Sequence, residues 1–111
     1  MIEVIILNYL KTQLTEPVYL EKPANAPEKY VFFEKTGSGR SNRLSSSTFA
    51  FQSYAGSLFS TCELNEKVKR AVDNLINLDA IGKVKLNSDY NYTDTIAKNY
   101  RYQAVYDIYH Y

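Results

Sequence analysis

Cysteine and histidine each occur once, as Cys62 and His110, and that scarcity removes whole classes of chemistry. A single cysteine cannot close an intramolecular disulfide, which fits a reducing compartment. Two ligands of these types fall short of the four that a structural zinc site takes. A Cys/His nucleophile pair could be built only from these two residues, and nothing in the sequence places them together. A lone cysteine among apolar residues is more often a small core hydrophobe. Neither a catalytic nor a metal site is expected here.

Excess charge is also scarce. Thirteen basic residues against twelve acidic leave a net charge of +1, so the chain as a whole has no field to steer it toward nucleic acid or anionic lipid. A dedicated duplex-DNA binder usually shows a basic face. Long apolar runs are missing too. The stretch Met1–Lys11 is apolar but carries Glu3, has no basic leader and is too short to cross a bilayer. The expectation is a protein made and used in the cytoplasm, with no membrane contact.

What is present suits one globular domain spanning 1–111. At 111 residues and 45% hydrophobic composition, the chain can bury roughly 65% of its unfolded surface without staples. Ile2, Ile5, Ile6, Tyr9, Leu10 and Leu14 follow the one-face spacing of an amphipathic helix, which Pro17 stops. Val4 and Leu7 lie off that stripe, as part of a wide core face or of a contact with a neighbour; the wide core face is preferred. Val18–Glu21 is a short strand candidate, and the two prolines of Pro23–Pro27 mark a loop. Tyr30–Lys35 reads as a strand, and so does Ser47–Tyr54, with Phe49 and Phe51 on one side. Between them, the Gly- and Ser-rich stretch Thr36–Ser46 reads as a long, mobile, solvated loop.

A second helix carries Leu64, Val68, Ala71, Val72 and Leu75 on one face, with Ser57 or Ser60 as its cap. Val84, Leu86, Tyr90 and Tyr92 then alternate with Lys83, Lys85, Asn87, Asp89 and Asn91. Tyr100, Tyr102, Ala104, Tyr106 and Ile108 alternate with Arg101, Gln103, Val105, Asp107 and Tyr109. Each pattern describes a strand with one buried face, the two joined as a hairpin through Thr93–Asn99. The simplest architecture is α+β: a mainly antiparallel sheet of four to five strands with two helices packed on one face.

Three local motifs invite chemistry and point elsewhere. Asp89, Asn91, Thr93 and Asp94 open like a calcium loop, but the turn glycine and the closing glutamate are missing. Gly37-Ser38-Gly39-Arg40 lacks the Gly-Lys-Ser/Thr ending of a phosphate loop. Tyr100-Arg101-Tyr102, with Lys98 near, sets aromatics beside positive charge as single-strand binders do. Among eleven tyrosines, core and interface roles are the favoured reading. No cofactor is implied.

Several segments, in order, resemble a known family. They are Val18-Tyr19-Leu20-Glu21 with Pro23, Tyr30-Val31-Phe32-Phe33-Glu34-Lys35-Thr36-Gly37, Gln52-Ser53-Tyr54-Ala55 with Ser57-Leu58, and Glu63-Leu64-Asn65-Glu66-Lys67-Val68-Lys69. The ending Lys85–Thr95 followed by Tyr100–Asp107 completes the set. Together, from about Pro17 to Tyr111, they resemble the tail-terminator, or tail-completion, proteins of long-tailed phages and prophages of Gram-positive bacteria. The resemblance implies a non-enzymatic virion protein: a subunit of a six-fold ring that ends growth of the tail tube and docks it to the head connector. Its implied partners are its own copies, the major tail tube protein and the head-connector or stopper protein, with DNA passing transiently through the ring. Its implied location is the host cytoplasm during assembly and then the virion. Balanced charge suits a channel through which DNA slides.

The candidate assembly contacts are Arg40 and Arg43 in the Gly/Ser-rich segment, and Arg101, Gln103 and Asp107 on the exposed side of the last strand. Alternative readings are another neck component, a tail-assembly factor, or a single-strand nucleic-acid-binding module.

Overall fold

Four-residue spacing puts Ile2, Ile6 and Leu10 on one side of a helix, and all three are buried in α1, Ile2–Gln13. The computed structural model describes residues 1–111, apart from the side chain of Ser41. Leu14 ends α1 in an extended conformation, its N–H still bonded to the Leu10 carbonyl at 2.9 Å. Leu7 packs against the core and Val4 stays exposed, so the stripe is wide on one flank only. In α2, Leu58–Asp73, the Ser57 hydroxyl caps the start by accepting from the Ser60 N–H at 3.1 Å. Leu64, Val68, Ala71 and Val72 are buried along α2, and Leu75 in the 3-10 turn Asn74–Asn77 that continues it.

Five strands form one sheet: β1 (Val18–Tyr19), β2 (Tyr30–Ser41), β3 (Leu44–Tyr54), β4 (Ile81–Asn91) and β5 (Arg101–His110), in the order β1-β2-β3-β5-β4. β1 runs parallel to β2, and every other neighbouring pair is antiparallel. Val31, Phe33, Phe49, Phe51, Ala104, Tyr106 and Ile108 share a core with the buried faces of α1 and α2. The fold is therefore the α+β arrangement the pattern predicts, with both helices on one side and no helix on the other, the bare side, where Tyr30, Ala50, Gln52 and Tyr54 are nonetheless buried. No helix among the described residues is long and apolar enough to cross a membrane.

Two expectations are corrected. The segment Thr36–Ser46 is a paired arm of the sheet rather than a mobile loop. β2 and β3 run past Lys35 to a two-residue connection, Asn42-Arg43, whose φ values of 49° and 68° both lie in the left-handed region. Tight hairpin turns of the primed types need that conformation, and asparagine tolerates it better than most residues. β3 in turn pairs with β5 from Ser45 to Tyr54, so the ladder overrides the weak strand propensity of glycine and serine.

The second correction lies in β4. Its register shifts between Leu86 and Ser88, leaving Asn87 as an extra residue. A bulge reverses which side the following residues face. Val84 and Leu86 lie opposite Ile108 and Tyr106 on the helix side, whereas Tyr90 lies opposite Gln103 on the bare side. Asp89 moves to the helix side, where it accepts from Asn65 Nδ2 at 2.8 Å and Lys69 Nζ at 2.6 Å. The single alternation expected through Tyr92 is in fact two half-strands of opposite phase.

Polar ties fasten the helices to the sheet. The Tyr106 hydroxyl donates to Asp73 at 2.9 Å; burial and that acceptor push the phenol far above its ordinary value, so it stays neutral. Glu16, between α1 and β1, accepts from Lys67 Nζ of α2 at 2.9 and 2.7 Å, with Lys29 at 3.7 Å. Desolvation raises the Glu16 pKa, but the Lys67 hydrogen bonds and charge outweigh it, and the carboxyl ends below its ordinary 4.5. A lowered folded-state pKa gives stability that is present above that ordinary value and is lost as pH falls through the folded one. Glu16→Gln is expected to cost about 1–2 kcal/mol at neutral pH. The gap from the unsubstituted chain should close in urea melts as the pH drops well below 4.5; a gap that stays constant would disprove the linkage.

Candidate functional site: the helix-free face of the sheet

Side chains alternate across a strand, so the register fixes what the bare face presents. In successive rows across β3, β5 and β4, Gln52 meets Gln103 and Tyr90, Ala50 meets Val105 and Ser88, and Thr48 meets Asp107 and Lys85. Tyr54 meets Arg101 at one end, and Ser46 meets Tyr109 and Lys83 toward the other.

A directed chain of hydrogen bonds crosses these strands. The Tyr54 hydroxyl donates to Gln52 Oε1 at 2.6 Å, and Gln52 Nε2 donates to Gln103 Oε1 at 2.8 Å. Gln103 Nε2 in turn donates to the Tyr90 oxygen. Each amide uses its carbonyl on one side and its NH2 on the other, which fixes both orientations. Tyr54 also stacks on Tyr30, with ring centres 4.5 Å apart and planes at 4°. Burial raises the Tyr30 phenol above its ordinary value.

Of the five candidate contacts, Arg101, Gln103 and Asp107 do share this face. They are not free side chains. Arg101 Nε donates to the Tyr92 carbonyl at 2.6 Å, and its guanidinium lies 4.3 Å from the Tyr92 ring centre. Asp107 accepts from the Thr48 hydroxyl at 2.7 Å and from Asn87 Nδ2 at 3.1 Å.

Arg40 and Arg43 belong to a different place, exposed at the far end of the arm. Arg40 pairs with Ser45, while Arg101 pairs with Tyr54 nine positions along β3, roughly 30 Å away at strand rise. Arg40 and Arg43 therefore stand far from Arg101, whereas Asp107, opposite Thr48, lies only three positions along β3 from the Arg40 partner Ser45. Sequence reading set Lys83 and Lys85 on the outward side of their strand, as found, but missed Gln52 and Tyr90 as members of the face. The polar parity of β3 was a usable signal for Gln52, but the bulge hid Tyr90.

The other motifs disperse. Cys62 lies close enough to Tyr102 to raise its phenol pKa, and His110 Nε2 meets Ser47 Oγ at 3.1 Å. Tyr102 and His110 stand eight positions apart on β5, about 27 Å at strand rise, which separates the two halves of any Cys/His pair. In the calcium-like stretch, Asn91 caps the Thr93 N–H at 3.0 Å, and Asp94 accepts from the Ile96 and Ala97 N–H groups at 3.1 Å each. Asp89 points to α2 instead. The Thr93–Asn99 connection is closed by reciprocal bonds between Asp94 and Asn99 at 3.1 and 3.0 Å.

The sequence matches no protein-family model and no curated protein at a significant level.

Proposed function

We propose that the chain is a structural subunit of the ring that ends a phage tail and joins it to the head connector. The segments that resemble tail-terminator proteins motivate this reading, and the directions of the sheet's two edges carry it furthest. Only Val31 and Phe32 of β2 are covered by β1, so the rest of β2 is an open edge, and β4 is the opposite edge. Within the sheet β2 and β4 run in opposite directions. Copies set side by side in one orientation would therefore meet edge to edge as an antiparallel pair. Such a contact is heterologous, and heterologous contacts close into rings when the rotation between copies permits.

The arm that ends at Asn42-Arg43 offers the exposed Arg40 and Arg43 to the tube or to the adjacent copy. Its tip is the part of the subunit suited to reading a partner, while the sheet supplies rigidity.

The test is mass by light scattering across a concentration range, with negative-stain images, first alone and then with uncapped tubes of the cognate tail tube protein. Six-fold rings, free or seated on one tube end, are expected. Arg40→Ala with Arg43→Ala should keep the fold and reduce seating. Tubes that stay bare at every concentration would overturn the reading.

A further inference from the structure

Cations are treated differently on the two sides of the sheet. Among the described residues, the five ion pairs run through the helix layer or through Glu16 beside it: Lys35–Glu3, Lys67–Glu16, Lys29–Glu16, Lys69–Glu66 and Lys69–Asp89. The three cation–ring contacts among these residues lie on the bare side: Lys22 over Tyr54, Lys83 over Tyr109 and Arg101 over Tyr92. On one side positive charge pairs with carboxylates; on the other it is held in place by rings, without an ion pair among the described residues.

We infer that the β4–β5 half of the helix-free face binds single-stranded nucleic acid without sequence preference. Charge supports a polyanion. Lys83, Lys85 and Arg101 face Asp107 alone among the carboxylates of these two strands on this side. Both Asp107 oxygens already accept hydrogen bonds, from Thr48 and Asn87. Lys85 stands opposite Asp107 in the ladder but forms no ion pair among the described residues.

The rings select a single strand over a duplex. Tyr90 and Tyr92 are 41% and 44% exposed and meet edge to face at 5.9 Å, which leaves ring surface at solvent where an unpaired base can stack. A duplex keeps its base faces stacked on one another and offers only phosphates to such a surface. The near-zero net charge is no obstacle, since the sheet separates what the sequence averages. This inference goes beyond the ring reading and does not depend on it.

The probe is a fluorescein-labelled oligothymidine followed by anisotropy, with the full chain as it stands. Binding should weaken steeply between about 50 and about 200 mM salt, and tyrosine emission should be quenched. Lys83→Glu with Lys85→Glu should weaken binding about tenfold or more, and Tyr90→Ala about fivefold or more. Lys11→Glu with Arg70→Glu, on the helix side, should leave it unchanged. Should the glutamate pair disturb folding by circular dichroism, Lys83→Gln with Lys85→Gln gives the same comparison. Absence of binding at low salt, equal losses from the two faces, or preference for a duplex of the same length would each overturn the inference. Light scattering on the same samples separates the two proposals: rings without oligonucleotide binding retain the ring alone, and binding without rings retains this site alone.

Discussion

Phe51→Ala is expected to lower stability by about 3–5 kcal/mol, the usual cost of removing a buried aromatic ring. Phe51 is fully buried at the centre of the ring cluster, 5.3 Å from Phe33, 6.1 Å from Phe49 and 5.9 Å from Tyr106 between ring centres. β3 is flanked by β2 and β5, so the backbone there has little room to collapse into the space left behind, and the cavity term stays high. For a domain with roughly 5–15 kcal/mol in total, the substitution consumes a large share, and thermal melting should fall by well over 10 °C at roughly 4–8 °C per kcal/mol. Phe59→Ala is the companion measurement. Phe59 is 73% exposed at the start of α2, and its loss should shift the melt by no more than about 0.5 kcal/mol. Equal shifts would mean that the ring cluster is not the centre of the core.

The second large effect belongs to Asp89, and its sign depends on what accompanies it. Asp89 is the acceptor for the buried Asn65 amide at 2.8 Å, and Asn65 Oδ1 has no hydrogen-bond partner among the described residues. Asp89→Ala would strand the whole amide and remove one of the two carboxylates that raise the Lys69 pKa. A loss of about 1–3 kcal/mol follows from leaving a buried donor unpaired. Replacing both partners, Asn65→Leu with Asp89→Ala, should recover most of it, since the penalty lies in the orphaned group. Urea unfolding of the two variants decides the matter; a double variant as unstable as the single one would place the cost in the Asp89–Lys69 pair instead.

Periodicity made the helices legible. Ile2, Ile6 and Leu10 in α1, and Leu64, Val68 and Val72 in α2, repeat at helical spacing and are all buried. The alternation of Ala104, Tyr106 and Ile108 exposed the inward side of β5 just as plainly, because a long regular strand carries its phase unbroken. What stayed hidden were features set by partners distant in sequence. Gly37 and Gly39 are weak strand formers in isolation, and only pairing with Thr48 and Ser46 makes them β. The Asn42-Arg43 turn lacks the glycine that usually announces a hairpin.

For the candidate site, parity correctly gathered Arg101, Gln103 and Asp107 on one face. It could not show that Thr48, Gln52, Tyr90 and Asn87 already engage two of them, since such bonds depend on which strands become neighbours. The separation of Arg40 and Arg43 from Arg101 follows from the same cause.

Asn87 carries a consequence of another kind. It is the odd residue that lets Leu86 and Asp89 lie on one side and Tyr90 on the other. Losing that one codon would make Leu86 and Ser88 consecutive and restore plain alternation, with Asp89 still on the helix side and Tyr90 still on the other. Keeping Asn87 but drawing the bulge straight would do the opposite: Asp89 would turn to the side of Lys83 and Lys85, and Tyr90 to the helix side toward Asn65. The outer surface is thus written partly in arithmetic, and an added residue with no bulge to absorb it would alter the protein more than most changes of residue type.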